Sequence, residues 1–421
     1  MNHFTYKNKE LYCENVPVKD IARRVGTPFY LYSEATLSRH FRVFDGSFEG
    51  SPHLTCFAVK ACSNIAILNL FSRQGSGADI VSGGELFRAM KAGISPKRMI
   101  YSGVGKTETE MADALQAGIL MFNVESPQEL DRLHAVATRL NITAPMALRV
   151  NPDVDPKTHA YISTGLAQNK FGIPVDEALQ EYIRAKAMTG IEIRGISCHI
   201  GSQLTRIEPF IEALRKLKDF ITRLEQEGIT VDYLDLGGGL GITYDDEHPP
   251  LPYDYAGAIK DELGSMNHTL ILEPGRVITG NAGILVTEVQ YTKINTGGEQ
   301  NKRFVIVDAA MNDLTRPSLY GAYHDIKPVM EETNNRQMVD IVGPICESGD
   351  FMAKDRMLPE VRQGDLLAIM SSGAYGFSMS SNYNSRPRAA EVLVSGDRFT
   401  IIRSRENHED LIRGEALMEK N

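Results

Sequence analysis

A lysine stands directly after an apolar, strand-like run in the segment LTCFAVKAC, residues 54–62. Lysine normally keeps its ammonium group in water, so Lys60 is either a strand-end residue that reaches solvent or a group with a chemical task. Other polar side chains end or follow similar runs along the chain, namely Asp79, Arg149, His199 and Glu273. If these residues converge, they form a candidate site in which the lysine amine is the nucleophile.

A glycine-rich segment, GGGLG (Gly237–Gly241), follows another of these runs, and PGR (residues 274–276) follows the next. Because glycine has no Cβ, the backbone N–H groups of such a loop can approach an anion such as phosphate closely. The spacing is not the GxGxxG of a dinucleotide-binding loop, and a tight turn without a ligand is the alternative. The segment GVGKT (residues 103–107) is not a P-loop, because Ile100 occupies the position of the first glycine.

Between residues 54 and 276, helical patterns alternate with eight short β-rich runs: LTCFAV, ADIVS, MIYSG, ILMFNV, MALRV, GISCHI, YLDL and LILE. The helical segment IEPFIEALRKLKDFITRLEQEG, for example, has apolar residues at three- and four-residue spacing. This alternation predicts a (β/α)8 TIM barrel over residues 35–280, with a doubly wound sheet as the alternative. In such a barrel the carboxyl ends of all strands share one face, which would bring the polar residues together.

The helical pattern stops after residue 280, and five strand patterns follow: GILVTEVQYTKI, RFVIVDAA, MVDIVGPI, DLLAIMSS and EVLVSGDRFTIIRS. The first 30 residues also have strand patterns, whereas the tail NHEDLIRGEALMEK has a helical pattern. We therefore predict a second, all-β domain, a β-sandwich or β-barrel, formed by residues 1–34 and 281–421.

The composition narrows the class of protein. A net charge of −9 over 421 residues argues against a nucleic-acid binder. No apolar run approaches the roughly 18 residues that span a bilayer, and the N-terminal segment lacks the apolar core of a signal peptide. The five cysteines lie far apart without a CxxC pair, which suggests neither disulfides nor a zinc site. We expect a cytoplasmic protein with no metal and no membrane or nucleic-acid partner.

A phosphate-binding loop, a strand-end lysine and a strand-end glutamate together point to one cofactor, pyridoxal 5′-phosphate. Lys60 would bond to the cofactor aldehyde, and burial would favour its neutral, nucleophilic form. Glu273 would keep a proton on the pyridine nitrogen, and a protonated ring is a good electron sink.

The chain resembles the diaminopimelate decarboxylases, which belong to the alanine-racemase-like (fold type III) class of pyridoxal-phosphate enzymes. The matching segments run nearly from end to end in family order: GTPFYLYSEATL, FAVKACSN, ADIVSGGEL, ISTGLAQNKFGI, CHIGSQ, LDLGGGLG, EPGR, RPSLYGAYH, CESGD and GAYGFSMSSNYNSRPR. The resemblance implies a cofactor-binding barrel and a C-terminal β domain. It also implies a head-to-tail homodimer in which each β domain completes the active site of the partner subunit.

The resemblance also implies roles for individual residues. Lys60 matches the cofactor-bonded lysine, His199 the ring-stacking imidazole and Glu273 the partner of the pyridine nitrogen. Further cofactor contacts are implied for Asp79, Arg149, Ser202, Gly237, Gly238, Gly239, Pro274, Gly275, Arg276 and Tyr375. For the substrate, the resemblance implies Cys346 as the proton donor and Glu347 at the distal amino group. Four residues are implied in further substrate contacts, three of them at the distal carboxylate (Arg276, Arg316 and Tyr320) and one touching both phosphate and substrate (Tyr375).

These roles predict the decarboxylation of meso-2,6-diaminopimelate to L-lysine and CO₂, the last step of lysine biosynthesis by the diaminopimelate pathway. A zwitterionic distal end needs a site for its carboxylate and a site for its ammonium group. Arg276 and Arg316 would provide the first and Glu347 the second. The alternatives are decarboxylases of carboxynorspermidine, ornithine or arginine, a racemase, and a non-catalytic regulatory relative. Cys62 departs from the asparagine that many relatives carry. Residues 153–173 are long enough to form an active-site lid.

Overall fold

Two units make up the chain in this computed structural model. One comprises residues 38–278, and the other combines residues 1–37 with residues 279–421. Among the residues that the structure describes, no helix is both long enough and apolar enough to cross a bilayer. The described residues are 2–155, 170–296, 301–331 and 335–418.

The amino-terminal segment contains four strands and two helices: β1 (Phe4–Lys7), β2 (Glu10–Cys13), β3 (Val16–Pro17), α1 (Val18–Val25), β4 (Phe29–Ser33) and α2 (Glu34–Gly46). Strands β1, β2 and β3 form a small antiparallel sheet. The prediction of strands throughout this segment is wrong at α1. There Val18, Ile21 and Ala22 recur at helical spacing and are buried in one apolar cluster.

The next segment alternates strands and helices: β5 (His53–Ala58), α3 (Ile65–Ser72), β6 (Gly77–Ile80), α4 (Gly83–Lys91), β7 (Met99–Tyr101), α5 (Glu108–Ala117), β8 (Met121–Val124), α6 (Pro127–Leu140), β9 (Ala144–Asn151), β10 (Ile173–Pro174), α7 (Val175–Lys186), β11 (Ile191–Ser197), α8 (Glu208–Gln226), β12 (Tyr233–Asp235), α9 (Pro252–Leu263), β13 (Thr269–Leu272) and α10 (Arg276–Thr279). Eight parallel strands close in the order β5-β6-β7-β8-β9-β11-β12-β13, and β13 pairs back to β5. The (β/α)8 prediction is therefore confirmed, and the doubly wound sheet is excluded.

Local sequence signals explain where the barrel helices begin and which face they bury. Helix α5 begins with a reciprocal capping box between Thr107 and Glu110, and Gly118 follows its end in the left-handed conformation. Helix α8 turns a stripe of buried apolar residues inward: Phe210, Leu214, Leu217, Ile221 and Leu224. Full burial of each such side chain contributes about 1.5–3 kcal/mol, which fixes the helices against the strands and so positions the loops between them.

The P-loop-like segment GVGKT has a structural role. Lys106 is almost completely buried, and its Nζ donates to Glu129 Oε1 at 2.7 Å. The same ammonium group donates to the carbonyl oxygens of Asn123 at 2.7 Å and Gly103 at 2.9 Å. Burial raises the pKa of Glu129, and the charge of Lys106 opposes this rise. The lysine therefore ties the loop after β7 to β8 and α6.

Replacing Lys106 by methionine should lower the free energy of unfolding by about 3–5 kcal/mol, because Glu129 would remain buried without its cation. Since the chain has no tryptophan, urea unfolding followed by far-UV circular dichroism is the suitable measurement. Lys91→Met is the matched control at an exposed lysine and should change the stability by less than about 0.5 kcal/mol. Equal stability of the two variants would contradict the assigned role of Lys106.

The carboxy-terminal segment continues with β14 (Gly283–Asn295), β15 (Lys302–Val307), α11 (Arg316–Tyr320), β16 (Ile326–Pro328), β17 (Arg336–Val342), β18 (Phe351–Pro359), β19 (Leu366–Ile369), β20 (Ala390–Ser395), β21 (Arg398–Arg403) and α12 (His408–Leu411). Its main sheet has the order β18-β17-β15-β14-β4-β20-β21, and β19 and β16 extend from β14. Strand β4 pairs antiparallel with β14 and parallel with β20. The predicted contribution of the amino-terminal strands to the β domain is therefore confirmed.

The helical prediction for the tail is correct only over α12. Asn407 caps this helix with its side chain, but the described residues beyond Leu411 are not helical. Gly414 adopts a positive φ of 87°, and Leu417 is 96% exposed. A helical apolar pattern without a surface to bury it gains little from folding, so the helix stops after one turn.

Candidate active site

Lys60 lies in a single turn of 3₁₀ helix, Val59–Ala61, directly after β5. Its Nζ is 2.6 Å from Oδ2 of Asp79, which lies near the end of the neighbouring strand β6. The lysine side chain is 35% exposed, whereas that of Asp79 is completely buried. This charge-assisted hydrogen bond positions the amine at the carboxyl end of the barrel. Lys60 is therefore not a strand-end residue that merely reaches solvent.

A cluster of buried acidic side chains lies at this end of the barrel and includes Asp79, Asp235 and Glu273. Burial raises the pKa of Glu273 well above its usual value, and the charges of Asp235 and Asp79 raise it further. Burial also raises the pKa of Asp235, although hydrogen bonds from Gly237 N–H and the Asn123 amide oppose the rise. Oδ1 of Asp79 has no hydrogen-bond partner among the described residues. Such a cluster favours an added proton or a cationic group.

His199 lies two residues beyond the end of β11, and its Nδ1 accepts a hydrogen bond from Gly238 N–H at 3.2 Å. Burial lowers the pKa of the imidazole well below its usual value, and the charges of Arg149 and Lys60 lower it further. The ring is therefore neutral, with its proton on Nε2. A neutral, oriented ring can stack on a planar cofactor without placing another cation beside Lys60.

The glycine-rich loop after β12 packs directly against the loops on both sides. Gly237 has a φ of 66°, and a Cβ on this residue would lie 2.6 Å from His199 Nδ1. A Cβ on Gly238 would lie 2.2 Å from the carbonyl oxygen of Glu273. Close backbone packing thus explains why the loop needs glycine at both positions. Phosphate binding by its N–H groups stays a prediction.

The two arginines predicted at the cofactor differ in their contacts. Arg276 donates to Ser202 Oγ from Nη2 at 3.0 Å and from Nε at 3.3 Å, and its Nη1 donates to Tyr244 Oη at 2.7 Å. Arg149 forms a buried ion pair with Glu125, with 2.7 Å between Nη1 and Oε1. Arg276 thus lies beside a residue of the predicted phosphate cradle, whereas Arg149 joins β9 to the loop after β8.

The donor set of the barrel fits pyridoxal phosphate. It combines a primary amine, buried acids, a neutral imidazole and a serine hydroxyl beside a glycine-rich loop. In the described part of the chain, Oδ1 of Asp79 has no hydrogen-bond partner and can accept a further donor. The barrel brings together twelve of the predicted site residues at the carboxyl ends of its strands: Lys60, Asp79, Arg149, His199, Ser202, Gly237, Gly238, Gly239, Glu273, Pro274, Gly275 and Arg276.

The remaining predicted residues belong to the other unit. Arg316, the first residue of α11, is buried, and its Nη1 donates to Nε2 of His324 at 2.8 Å. His324 in turn donates from Nδ1 to the carbonyl oxygen of Met370, also at 2.8 Å. These two bonds fix the neutral tautomer of the histidine and the orientation of the guanidinium group. Tyr320, at the end of the same helix, is half-buried.

Cys346 and Glu347 are exposed on the loop between β17 and β18. The N–H of Cys346 donates to Oδ1 of Asn384 at 3.0 Å. Asp350, which is buried, accepts the N–H of Ile345 at 2.7 Å and so shapes the loop on which both residues lie. Tyr375 is half-buried and has a positive φ of 56°, a conformation that is uncommon for a bulky residue.

Comparison with known proteins identifies the family. Residues 34–280 match the family described as pyridoxal-dependent decarboxylase, pyridoxal binding domain. The chain belongs to this family. It is 52% identical over 418 residues to a diaminopimelate decarboxylase of Pseudomonas aeruginosa, a match that covers 99% of this chain and 100% of that protein.

Solved structures of other pyridoxal-dependent decarboxylases have the same architecture. Diaminopimelate decarboxylase from Helicobacter pylori, complexed with L-lysine, is 45% identical with a TM-score of 0.90, covering 94% of this chain and 98% of that one. The M. jannaschii enzyme in co-complex with L-lysine is 38% identical with a TM-score of 0.93, covering 99% of both chains. The prediction of pyridoxal phosphate as the cofactor is confirmed, whereas the roles of individual residues stay predictions.

Several polar residues of this pyridoxal-dependent decarboxylase were not predicted from the sequence, although they touch the predicted site. Asp235 and Asn123 lie inside the barrel, Tyr244 contacts Arg276, and His324 contacts Arg316. A signal existed for the first two, because each is a polar residue within an otherwise apolar strand run. Residues 156–169, most of the predicted lid, lie outside the described residues.

Proposed function

We propose that the protein decarboxylates meso-2,6-diaminopimelate at its D-configured centre and releases L-lysine and CO₂, as the last step of lysine biosynthesis. The observation that carries this proposal is the 52% identity to a diaminopimelate decarboxylase over 99% of the chain. The barrel geometry supports the same chemistry, because a positioned amine lies among buried acids at the carboxyl ends of the strands.

The chain's own residues have distinct tasks in this reaction. Pyridoxal phosphate, when bound, supplies an electron sink for the electron pair that is released when the bond from Cα to the carboxylate breaks. Lys60 would hold the cofactor through its amine. Glu273 would hold a proton at the ring nitrogen, and the neutral imidazole of His199 would orient the ring. After CO₂ leaves, Sγ of Cys346 donates a proton to Cα.

The substrate specificity resides in the distal end of the amino acid. Arg316 is held by His324 in a buried setting, and a fixed guanidinium fork suits a carboxylate. Glu347 supplies the negative charge that the distal ammonium group needs. A substrate without the distal carboxylate, such as ornithine, would not make the charge-assisted contact with Arg316 and should therefore bind more weakly.

We infer that the protein is a homodimer with shared active sites and that it is cytoplasmic. The exposure of Cys346 and Glu347 supports the dimer, because a proton donor acts best in a site closed to water and these side chains are open in the single chain. All five cysteines are free thiols, which agrees with a reducing compartment.

Product analysis tests the proposed reaction. Purified protein is incubated with pyridoxal phosphate and, in parallel, with meso-diaminopimelate, ornithine, arginine or carboxynorspermidine. We expect L-lysine and CO₂ from the first substrate and no turnover of the other three. Turnover of another amine instead would preserve the cofactor chemistry but contradict the roles of Arg316 and Glu347.

Replacing Arg316 by alanine should raise the KM for diaminopimelate by about 30-fold or more, because the distal carboxylate would lose a buried, charge-assisted contact. Steady-state kinetics with saturating cofactor measures this change. Arg398→Ala removes a surface arginine that is 89% exposed and should leave KM unchanged. An unaltered KM in Arg316→Ala would refute the assignment of the distal-carboxylate site.

A further inference from the structure

A polar bridge crosses the interior of the barrel beneath the site. Nδ2 of Asn123 on β8 donates to Oδ2 of Asp235 on β12 at 2.7 Å, and both residues are fully buried. These strands are not neighbours, because β9 and β11 lie between them. Bulky apolar residues usually fill the interior of such a barrel, and a buried polar pair is costly to desolvate. A polar pair at this position therefore indicates a role other than packing of the barrel interior.

Burial raises the pKa of Asp235, but hydrogen bonds to both of its oxygens oppose this rise and favour the carboxylate form. Its Oδ1 accepts the N–H of Gly237 at 2.9 Å, and its Oδ2 accepts the Asn123 amide. The amide is itself oriented by a contact of Nδ2 with Ser102 Oγ at 3.1 Å, and Lys106 binds the backbone carbonyl of the same asparagine. Donors on both oxygens stabilise the charge. Asp235 also shares a side-chain hydrogen bond with Glu273, so without the cofactor Glu273 carries the proton that it would hold at the ring nitrogen once the cofactor is bound.

The other titratable groups near Asp235 are neutral or already paired. Burial raises the pKa of the Cys56 and Cys198 thiols and of the Tyr255 hydroxyl, so all three stay protonated and neutral. Asp79, the other nearby acid, already pairs with Lys60 at 2.6 Å. The negative charge of Asp235 thus acts chiefly on Glu273 and on whatever Glu273 contacts.

We propose that Asp235, oriented by Asn123, is a positioning residue that keeps a second buried negative charge behind Glu273 and so secures the proton on the cofactor's ring nitrogen. The inference rests on the proposed function, in which Glu273 pairs with that nitrogen. Glu273 would contact the ring nitrogen, and Asp235 would act on that nitrogen through Glu273. The apolar barrel interior makes the second charge effective, because little solvent screens it.

The test is ¹⁵N NMR of holoprotein that carries pyridoxal phosphate labelled at the ring nitrogen, recorded as a function of pH without substrate. The variant Asp235→Asn keeps the shape of the side chain but removes its charge. In this variant the pH midpoint for loss of the ring-nitrogen proton should fall by at least about one unit, which means that the nitrogen binds its proton about tenfold more weakly. In Asn123→Ala the midpoint should fall by less, because Asp235 loses one donor but keeps its charge. Ser76→Ala, just before β6, is the matched control: it removes a buried hydroxyl that bonds to the carbonyl oxygens of Thr55 and Gly77, and it should leave the midpoint unchanged.

Activity gives a second readout. In Asp235→Asn, kcat for diaminopimelate should fall about tenfold with little change in KM, because substrate binding is untouched. Wild-type midpoints in both Asp235→Asn and Asn123→Ala would overturn the inference. Wild-type holoprotein that binds the cofactor but does not turn over diaminopimelate would instead overturn the proposed substrate. The NMR midpoints would still decide the role of Asp235, since they are measured without substrate.

Discussion

Replacing Lys60 by alanine should reduce turnover of diaminopimelate by roughly 10⁴-fold or more, because the variant lacks the amine that bonds to the cofactor and exchanges with the substrate. The visible absorbance of lysine-bound cofactor should disappear at the same time. Asp79 would lose its only described ion partner, so the variant must be checked for folding by circular dichroism.

Lys60→Arg separates the loss of chemistry from the loss of the ion pair. Arginine keeps a cation beside Asp79 but is not deprotonated in proteins, so it cannot act as the nucleophile. We expect this variant to fold like the wild type and to be as inactive as Lys60→Ala. Substantial activity in either variant would show that another group bonds to the cofactor, and the central assignment of the site would be wrong.

Mixing two inactive variants should restore activity if the active sites are shared between subunits. Lys60→Ala and Cys346→Ala should each be nearly inactive as homodimers. In a heterodimer of the two, one site carries both defects and the other carries neither. Random pairing makes half of the dimers mixed, so the recovered activity should approach about a quarter of the wild-type value. The measurement is turnover after co-expression with two different affinity tags.

A mixture of Lys60→Ala with Lys60→Arg is the control for this experiment. Both defects affect the same component of each site, so no pairing regenerates an intact site and activity should stay absent. If tagged, purified Lys60→Ala/Cys346→Ala heterodimers were also inactive, Cys346 would act within its own subunit. The proposed role of the exposed CESGD loop would then fail.

The barrel illustrates what a repeating pattern can predict. Each of the eight apolar runs became a barrel strand, because alternating strands and amphipathic helices have few ways to bury their apolar faces. The short amphipathic segment at α1 was missed, since eight residues with Val18, Ile21 and Ala22 buried do not distinguish a helix from strands by pattern alone. Tertiary packing decides such short segments.

The fold class, the cofactor chemistry and the residues at the strand ends, such as Lys60 and Glu273, could be predicted from the sequence alone. Strand ends follow from local periodicity, and the barrel topology then places them on one face. Which polar groups meet across that face depends on the folded barrel. Asn123 and Asp235, which share a hydrogen bond, are 112 residues apart in the sequence. Lys106, in the segment that resembles a P-loop, forms a buried ion pair with Glu129. Such contacts depend on side-chain direction and distance in a closed barrel, which no local pattern encodes.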